Sequence, residues 1–155
     1  MPRDPHAAGS LAPRRVFVDT GAWFAVQTSD DEWHDDAART LRMLVTRAHV
    51  LVTTNHVVGE TYTLLRTVSG HDAATQFLDR LDEARRVERI HVSRELEGHA
   101  LRLLRRHADQ AFSFVDATSF ALMRAERIRH AFAFDHHFAT AGFLRIPIDI
   151  PSEQL

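Results

Sequence analysis

The apolar positions of this chain fall into two patterns that alternate along it. Short, nearly unbroken apolar runs at Val16-Phe-Val18, Val50-Leu-Val-Thr53, Val87 to Val92, Ala131-Phe-Ala-Phe134 and Phe143 to Ile148 predict buried strands. The third run is weakened by Glu88 and Arg89, and Pro147 marks the last as an edge. Between the runs, apolar residues recur at helical spacing. Ala22 to Val26 begins one helix, and Ala37, Ala38, Leu41, Leu44 and Val45 form the apolar side of a second. Val57, Thr61, Leu64, Leu65 and Val68 form the inward stripe of a third, of about fifteen residues, capped by Thr54 or Asn55. Ser69-Gly70 then breaks the chain before a fourth, with Ala73, Ala74, Phe77, Leu78 and Leu81 inward. Ser93 caps a fifth that runs to about His107, with Glu95 and Glu97 in its first turn. From Phe112 to Met123 an apolar run passes into a helical pattern. Strand and helix in alternation imply an α/β fold, a parallel sheet flanked by helices.

Composition narrows the class. The 155 residues suit one domain with a sizeable core. Residues 1–14 carry three prolines, Gly9 and Ser10, and read as a disordered lead; residues 15–150 are the expected folded domain. There is no cysteine, which excludes disulfides, thiolate metal sites and cysteine nucleophiles. All 19 basic residues are arginine, so lysine-dependent phosphate loops, Schiff bases and receiver-type phosphotransfer are excluded as well. The net charge of -2 means that any nucleic-acid surface must be a local patch. No apolar run approaches a membrane span of about 18 residues, and the N-terminus lacks a signal-peptide core, so the expected location is cytoplasmic.

Two predicted strands run into a carboxylate, Asp19 and Asp135, at the end of a parallel strand where ligands gather. Glu60 lies at the edge of the third helix's inward stripe, and Asp116 stands where an apolar run meets a helix. Each has a plain structural reading: Asp19 and Asp116 as N-caps, Glu60 as a snorkelling surface acid. If the four meet, like charges within a few ångströms require protonation or a cation. An all-oxygen site suits Mg²⁺ or Mn²⁺ rather than zinc, and its natural chemistry is metal-assisted phosphodiester hydrolysis.

The segments Phe17-Val-Asp-Thr-Gly-Ala-Trp-Phe-Ala25, Glu60-Thr-Tyr-Thr-Leu-Leu65, Phe114-Val-Asp-Ala-Thr-Ser-Phe120 and Phe134-Asp-His-His-Phe138, with Gly142-Phe143 behind, resemble the PIN-domain ribonucleases. More narrowly they resemble the VapC-type toxins of toxin–antitoxin pairs. The resemblance runs in order from about residue 15 to 149. It implies a three-layer fold with a five-stranded parallel sheet, and RNA cleavage by a metal-activated water that leaves a 3′-hydroxyl and a 5′-phosphate. Asp19, Glu60, Asp116 and Asp135 would be the metal-binding, catalytic quartet, with Thr20 and Ser119 as polar supports. It also implies a homodimer and a small antitoxin whose tail enters the acidic crevice. An RNA-processing PIN nuclease without an antitoxin and a non-catalytic PIN-like module are the alternatives. The long lead and the mildly acidic charge depart from the family's pattern.

His136 and His137, directly after Asp135, are in position to touch a phosphate or metal, although scattered loop histidines ordinarily do neither. The acidic segment Thr28 to Asp36 reads as a solvated loop leading into a helix, and no second histidine stands at helical ligand spacing from His34. Trp23 is expected to pack internally; Trp33 is open to base stacking or a subunit contact. A phosphotransfer enzyme with Asp19 as nucleophile would need an aspartate where Gly21 stands, and a lysine.

Overall fold

The computed structural model describes residues 12–155, so the expected lead lies, through Leu11, outside the described residues. The strands are β1 (Arg15–Val18), β2 (Val50–Thr54), β3 (Val87–Ile90), β4 (His130–Phe132) and β5 (Leu144–Ile146). The helices are α1 (Thr20–Gln27), α2 (His34–Thr46), α3 (Asn55–Val68), α4 (His71–Glu83), α5 (Arg94–Arg106), α6 (Phe114–Ala125) and α7 (His136–Thr140), followed by a 3₁₀ turn at Ser152–Gln154. All five strands are parallel, in the order β3-β2-β1-β4-β5. The expected five-stranded, helix-flanked α/β sheet is the fold found.

This order follows from the connections. The chain steps from β1 to β2 to β3 in one direction through α1 to α4, then returns past β1 to β4 and β5. Crossovers between parallel strands are right-handed, so reversing the direction moves the following helices to the opposite face of the sheet. Helix contacts agree: α1 packs on α2 and α3, and α3 on α4, whereas α5 packs on α6 and α6 on α7. The reversal lies between β1 and β4, which makes the carboxyl ends of those two strands the crevice of this sheet.

Buried apolar residues from both faces close the core. Phe17, Phe120, Phe132 and Phe138 are fully buried, and the rings of Phe120 and Phe138 meet edge to face at 5.0 Å. On the other face Leu44, Leu65 and Phe77 are buried, and Trp23 packs on Phe77 as expected of an internal residue. Thr54 caps α3 by accepting from the Val57 amide at 3.1 Å, and Ser93 caps α5 at 3.2 Å from the Leu96 amide. Asn55, the other candidate cap, instead accepts from the Val92 amide and ties down the loop after β3.

Several local expectations shift. Strands β4 and β5 end sooner than the apolar runs: Ala133 and Phe134 lie beyond the paired residues of β4, and Pro147 just past β5. On α3 the buried face is Val57, Val58, Thr61 and Leu65, while Leu64 and Val68 are 37% and 60% exposed. The stripe is rotated toward Val58, and a 14-residue helix, about 21 Å long, outruns a five-residue strand of roughly 17 Å. Val45, on the outer edge of α2, is exposed too. Beyond residue 150, Leu155 is buried, and Arg47 donates to the carbonyls of Glu153 and Leu155.

Candidate active site

Asp19 follows the last residue of β1, and its amide donates to the Phe132 carbonyl at 3.0 Å, joining the ends of β1 and β4. It occupies the N-cap position of α1 in extended backbone, yet its carboxylate makes no capping hydrogen bond. The capping reading therefore fails for this side chain. The residue is 6% exposed. Burial pushes its carboxyl up to about 7, a backbone hydrogen bond from Thr20 partly opposes this, and the charges of Asp116, Asp135 and Glu60 push it further up. The three other acids thus all bear on Asp19.

Asp116 is not an N-cap. Ser113 caps α6, and Asp116 is the third residue of its first turn in a reciprocal capping box. Asp116 Oδ2 accepts from the Ser113 amide at 3.0 Å, and Ser113 Oγ accepts from the Asp116 amide at 2.9 Å. The pattern Ser113-Phe-Val-Asp116 is a capping-box spacing, which is the signal that places this helix start correctly. The same Oδ2 accepts from His137 Nδ1 at 3.0 Å. Capping and crevice roles coincide in one carboxylate, 8% exposed.

Asp135 caps α7, its Oδ1 accepting from the His137 amide at 2.8 Å. His137 Nδ1 lies 3.5 Å from the same oxygen. The imidazole therefore sits between the acid that follows β4 and the acid that starts α6, with Phe112 edge-on at 5.3 Å. His137 is the residue whose contacts with two of the acids sequence reasoning did not anticipate. Its signal was the spacing: two residues after an acid that caps a short helix, its ring turns back over that acid.

Glu60 is exposed on α3 and lines an open cleft with Gly59, Leu64, Phe114 and Val115. Thr20 is buried beside Asp19, and its hydroxyl has no hydrogen-bond partner. Ser119 is fully buried and donates to the Val115 carbonyl at 2.8 Å, one turn back in its own helix. Trp33 stacks on Phe134 at 4.8 Å, next to Asp135, with its outer part exposed. His34 Nδ1 donates to the Ala25 carbonyl at 2.8 Å.

Among the described residues, Asp135, His136 and His137 offer ligand atoms within 4.8 Å of one another, whereas no three of the four acids do so. Carboxylates without a cation between them are expected to stand apart. The donors nonetheless fit a hard divalent cation: oxygen ligands, a buried carboxyl whose ionised form is disfavoured, and an unpartnered hydroxyl beside it.

Comparison with known proteins is consistent with this geometry. Residues 16–144 match the PIN domain family. The chain is 44% identical over 132 residues to the 23S rRNA-specific endonuclease VapC20 of Mycobacterium tuberculosis, strains CDC 1551 and H37Rv. That match covers 84% of this chain and 97% of the relative. The crystal structure of Mycobacterium tuberculosis VapC20, described as a sarcin–ricin-loop-cleaving toxin, superimposes with a TM-score of 0.78 at 40% identity, covering 84% of this chain and 98% of that one. PIN nucleases are in general dependent on divalent metal ions. The chain belongs to the PIN-domain family, among its VapC-type ribonuclease toxins.

Proposed function

We propose that the chain is a Mg²⁺- or Mn²⁺-dependent endoribonuclease that cuts the sarcin–ricin loop of 23S rRNA, as its named relatives do. The observation that carries the site is the convergence of three acidic charges on the buried Asp19. Asp19, Glu60, Asp116 and Asp135 would hold the ion. When bound, it supplies Lewis-acid stabilisation of the phosphoryl oxygens and a water nucleophilic at neutral pH. Asp19 releases its proton to bind a cation, so metal affinity rises with pH through about 7. His137 and the Ser113 amide hold one oxygen of Asp116 and fix its orientation. Thr20 presents an uncommitted hydroxyl beside Asp19, and Ser119 packs behind the start of α6. The exposed face of Trp33 is a platform for an unstacked loop base.

VapC toxins pair with antitoxins, and a cationic antitoxin tail would relieve the crowding of acids around Asp19. A homodimer is supported by the apolar groups α3 and α6 leave exposed: Leu64 and Phe114 line one cleft, and Val68 follows Leu64 by one turn. No helix of the described residues is long and apolar enough to cross a membrane, and a cytoplasmic location is the reading that goes with a ribosomal substrate. The nuclease domain is taken as residues 15–150; the family match within it covers residues 16–144.

The test is cleavage of purified 23S rRNA and of a sarcin–ricin stem-loop oligonucleotide. Both are expected to be cut at one position with Mg²⁺ or Mn²⁺. EDTA and the Asp19→Asn variant should each abolish cutting. Undiminished cleavage in excess EDTA would overturn the metal mechanism, and cutting of unrelated RNA alone would overturn the substrate.

A further inference from the structure

Four neighbouring strands of the sheet are each preceded by a basic residue. Arg14 precedes β1, His49 β2, Arg86 β3 and Arg129 β4. Because the strands are parallel, these positions share one edge of the sheet, at the end opposite Asp19 and Asp135. Strand order sets them in the row Arg86, His49, Arg14, Arg129, about 14 Å from end to end at the usual strand spacing. Their backbones are locked together. The Arg14 amide donates to His49 Nδ1 at 2.8 Å, and the amides of Leu51, Val50 and Leu144 donate to the carbonyls of Arg86, Arg14 and Arg129.

The side chains at this edge are in excess of their counter-ions. Arg15 is committed to Glu88 at 2.6 Å and Glu126 at 2.9 Å. Arg14, Arg127 and Arg129 are exposed and make no side-chain hydrogen bond or ion pair among the described residues. All three border a cleft of about 330 Å³. Arg127 is presented at the end of α6 on left-handed backbone, φ 55°. Burial first, and then the charges of Arg14 and Arg129, hold His130 below the usual histidine range, so these cations act on a common point.

We propose that this edge is a second RNA-contact surface, gripping the phosphate backbone of the substrate at a segment remote from the scissile loop. An acidic crevice needs a cation before it tolerates phosphate, so it cannot supply the counter-ion release that dominates nucleic-acid affinity. Unpaired guanidiniums can, and they pair with phosphate in bidentate fashion. An acidic protein would also be attracted, but the chain's function presents it with a polyanionic substrate. The inference rests on the reading that this substrate is a large RNA.

The experiment compares wild type with R14Q/R127Q/R129Q, all in the full chain. Affinity is measured in EDTA against intact 23S rRNA and against the isolated sarcin–ricin stem-loop, from 50 to 200 mM salt. Cleavage of both RNAs is measured with Mg²⁺. For the variant, the slope of log affinity against log salt on 23S rRNA should flatten by about 2–3, and affinity at 150 mM salt should fall roughly tenfold or more. Cleavage of the stem-loop should be unchanged, which also verifies the fold. Equal affinity of variant and wild type for 23S rRNA overturns the proposal. So does a loss that is the same on both RNAs. A wild type that cuts neither RNA refutes the substrate reading instead, a result distinct from all of these.

Discussion

The two ends of the sheet carry opposite chemistry on one backbone. At the carboxyl end, Asp19 and Asp135 follow adjacent strands, and the charges of Asp135, Asp116 and Glu60 bear on Asp19; at the amino end, arginines and a histidine precede four adjacent strands. The consequences are mirror images. Burial and neighbouring acids push Asp19 up to about 7, while burial and neighbouring arginines push His49 down. A net charge of -2 hides both ends, because 19 arginines and 21 acids nearly cancel over the whole chain. Total charge says whether a protein is a polyelectrolyte; only the placement of charge says where a polyanion can sit.

The largest test of this contrast is Asp19→Asn. Losing a candidate ligand should lower RNA cleavage by about 100-fold or more, since even groups behind metal ligands cost 10- to 100-fold. Stability should move the other way. A carboxyl that titrates near 7 when folded and near 3.8 when unfolded binds more protons in the native state between those values. Wild-type stability in EDTA should thus fall as pH rises from about 4 to about 7 and level off above, by up to about 4 kcal/mol. The Asn variant should lose that slope and melt higher at pH 8. Equal melting profiles for the two proteins across this range would show that Asp19 is not crowded.

Asp116→Asn separates the shared roles of a second acid. Asn keeps an acceptor for the Ser113 amide, so the helix start should survive. For two like charges at a separation of about 6 Å and an effective dielectric near 20, the repulsion relieved by removing one is on the order of 1–3 kcal/mol before screening. In EDTA the variant should melt at or above wild type; with Mg²⁺ it should gain less than wild type does, and it should lose most cleavage. A metal-induced shift as large as that of wild type, with full activity, would reduce Asp116 to its part in the capping box.

The smallest expected effect is at the other end. A histidine held below its usual range favours the folded state only while neutral, so His49 contributes stability above about pH 6.5 that is lost as pH falls. This slope is opposite in sign to that of Asp19. His49→Gln retains an acceptor for the Arg14 amide and should flatten the acid limb of the melting profile without altering cleavage at pH 8. An unchanged acid limb would mean that the basic edge does not weigh on this ring.

Much of the candidate site was legible before the structure. The runs ending near Asp19 and Asp135, the caps at Thr54 and Ser93, and four motifs in family order pointed to the fold and to the quartet. Less legible was what each side chain does. Asp19 looked like a cap and makes no capping bond; Asp116 looked like a cap and is the third residue beyond one. Leu64 and Val68 matched an inward stripe and lie in the open, because periodicity reports a helix face but not how far the sheet extends beneath it.

What the sequence determined by itself is local: alternating apolar periods set strands and helices, and short polar spacings set their caps, because those forces act over a few residues. What only the tertiary structure decided is non-local. Asp19 and Asp135 are neighbours because β4 pairs beside β1 after the chain has made the β2 and β3 crossovers and turned back. His137 becomes part of the site because that pairing brings α7 to the first turn of α6. The basic edge was written plainly as one residue before each of four strands. It becomes a surface only when those strands are parallel and adjacent, a condition set by which strands pair, which no window of the sequence contains.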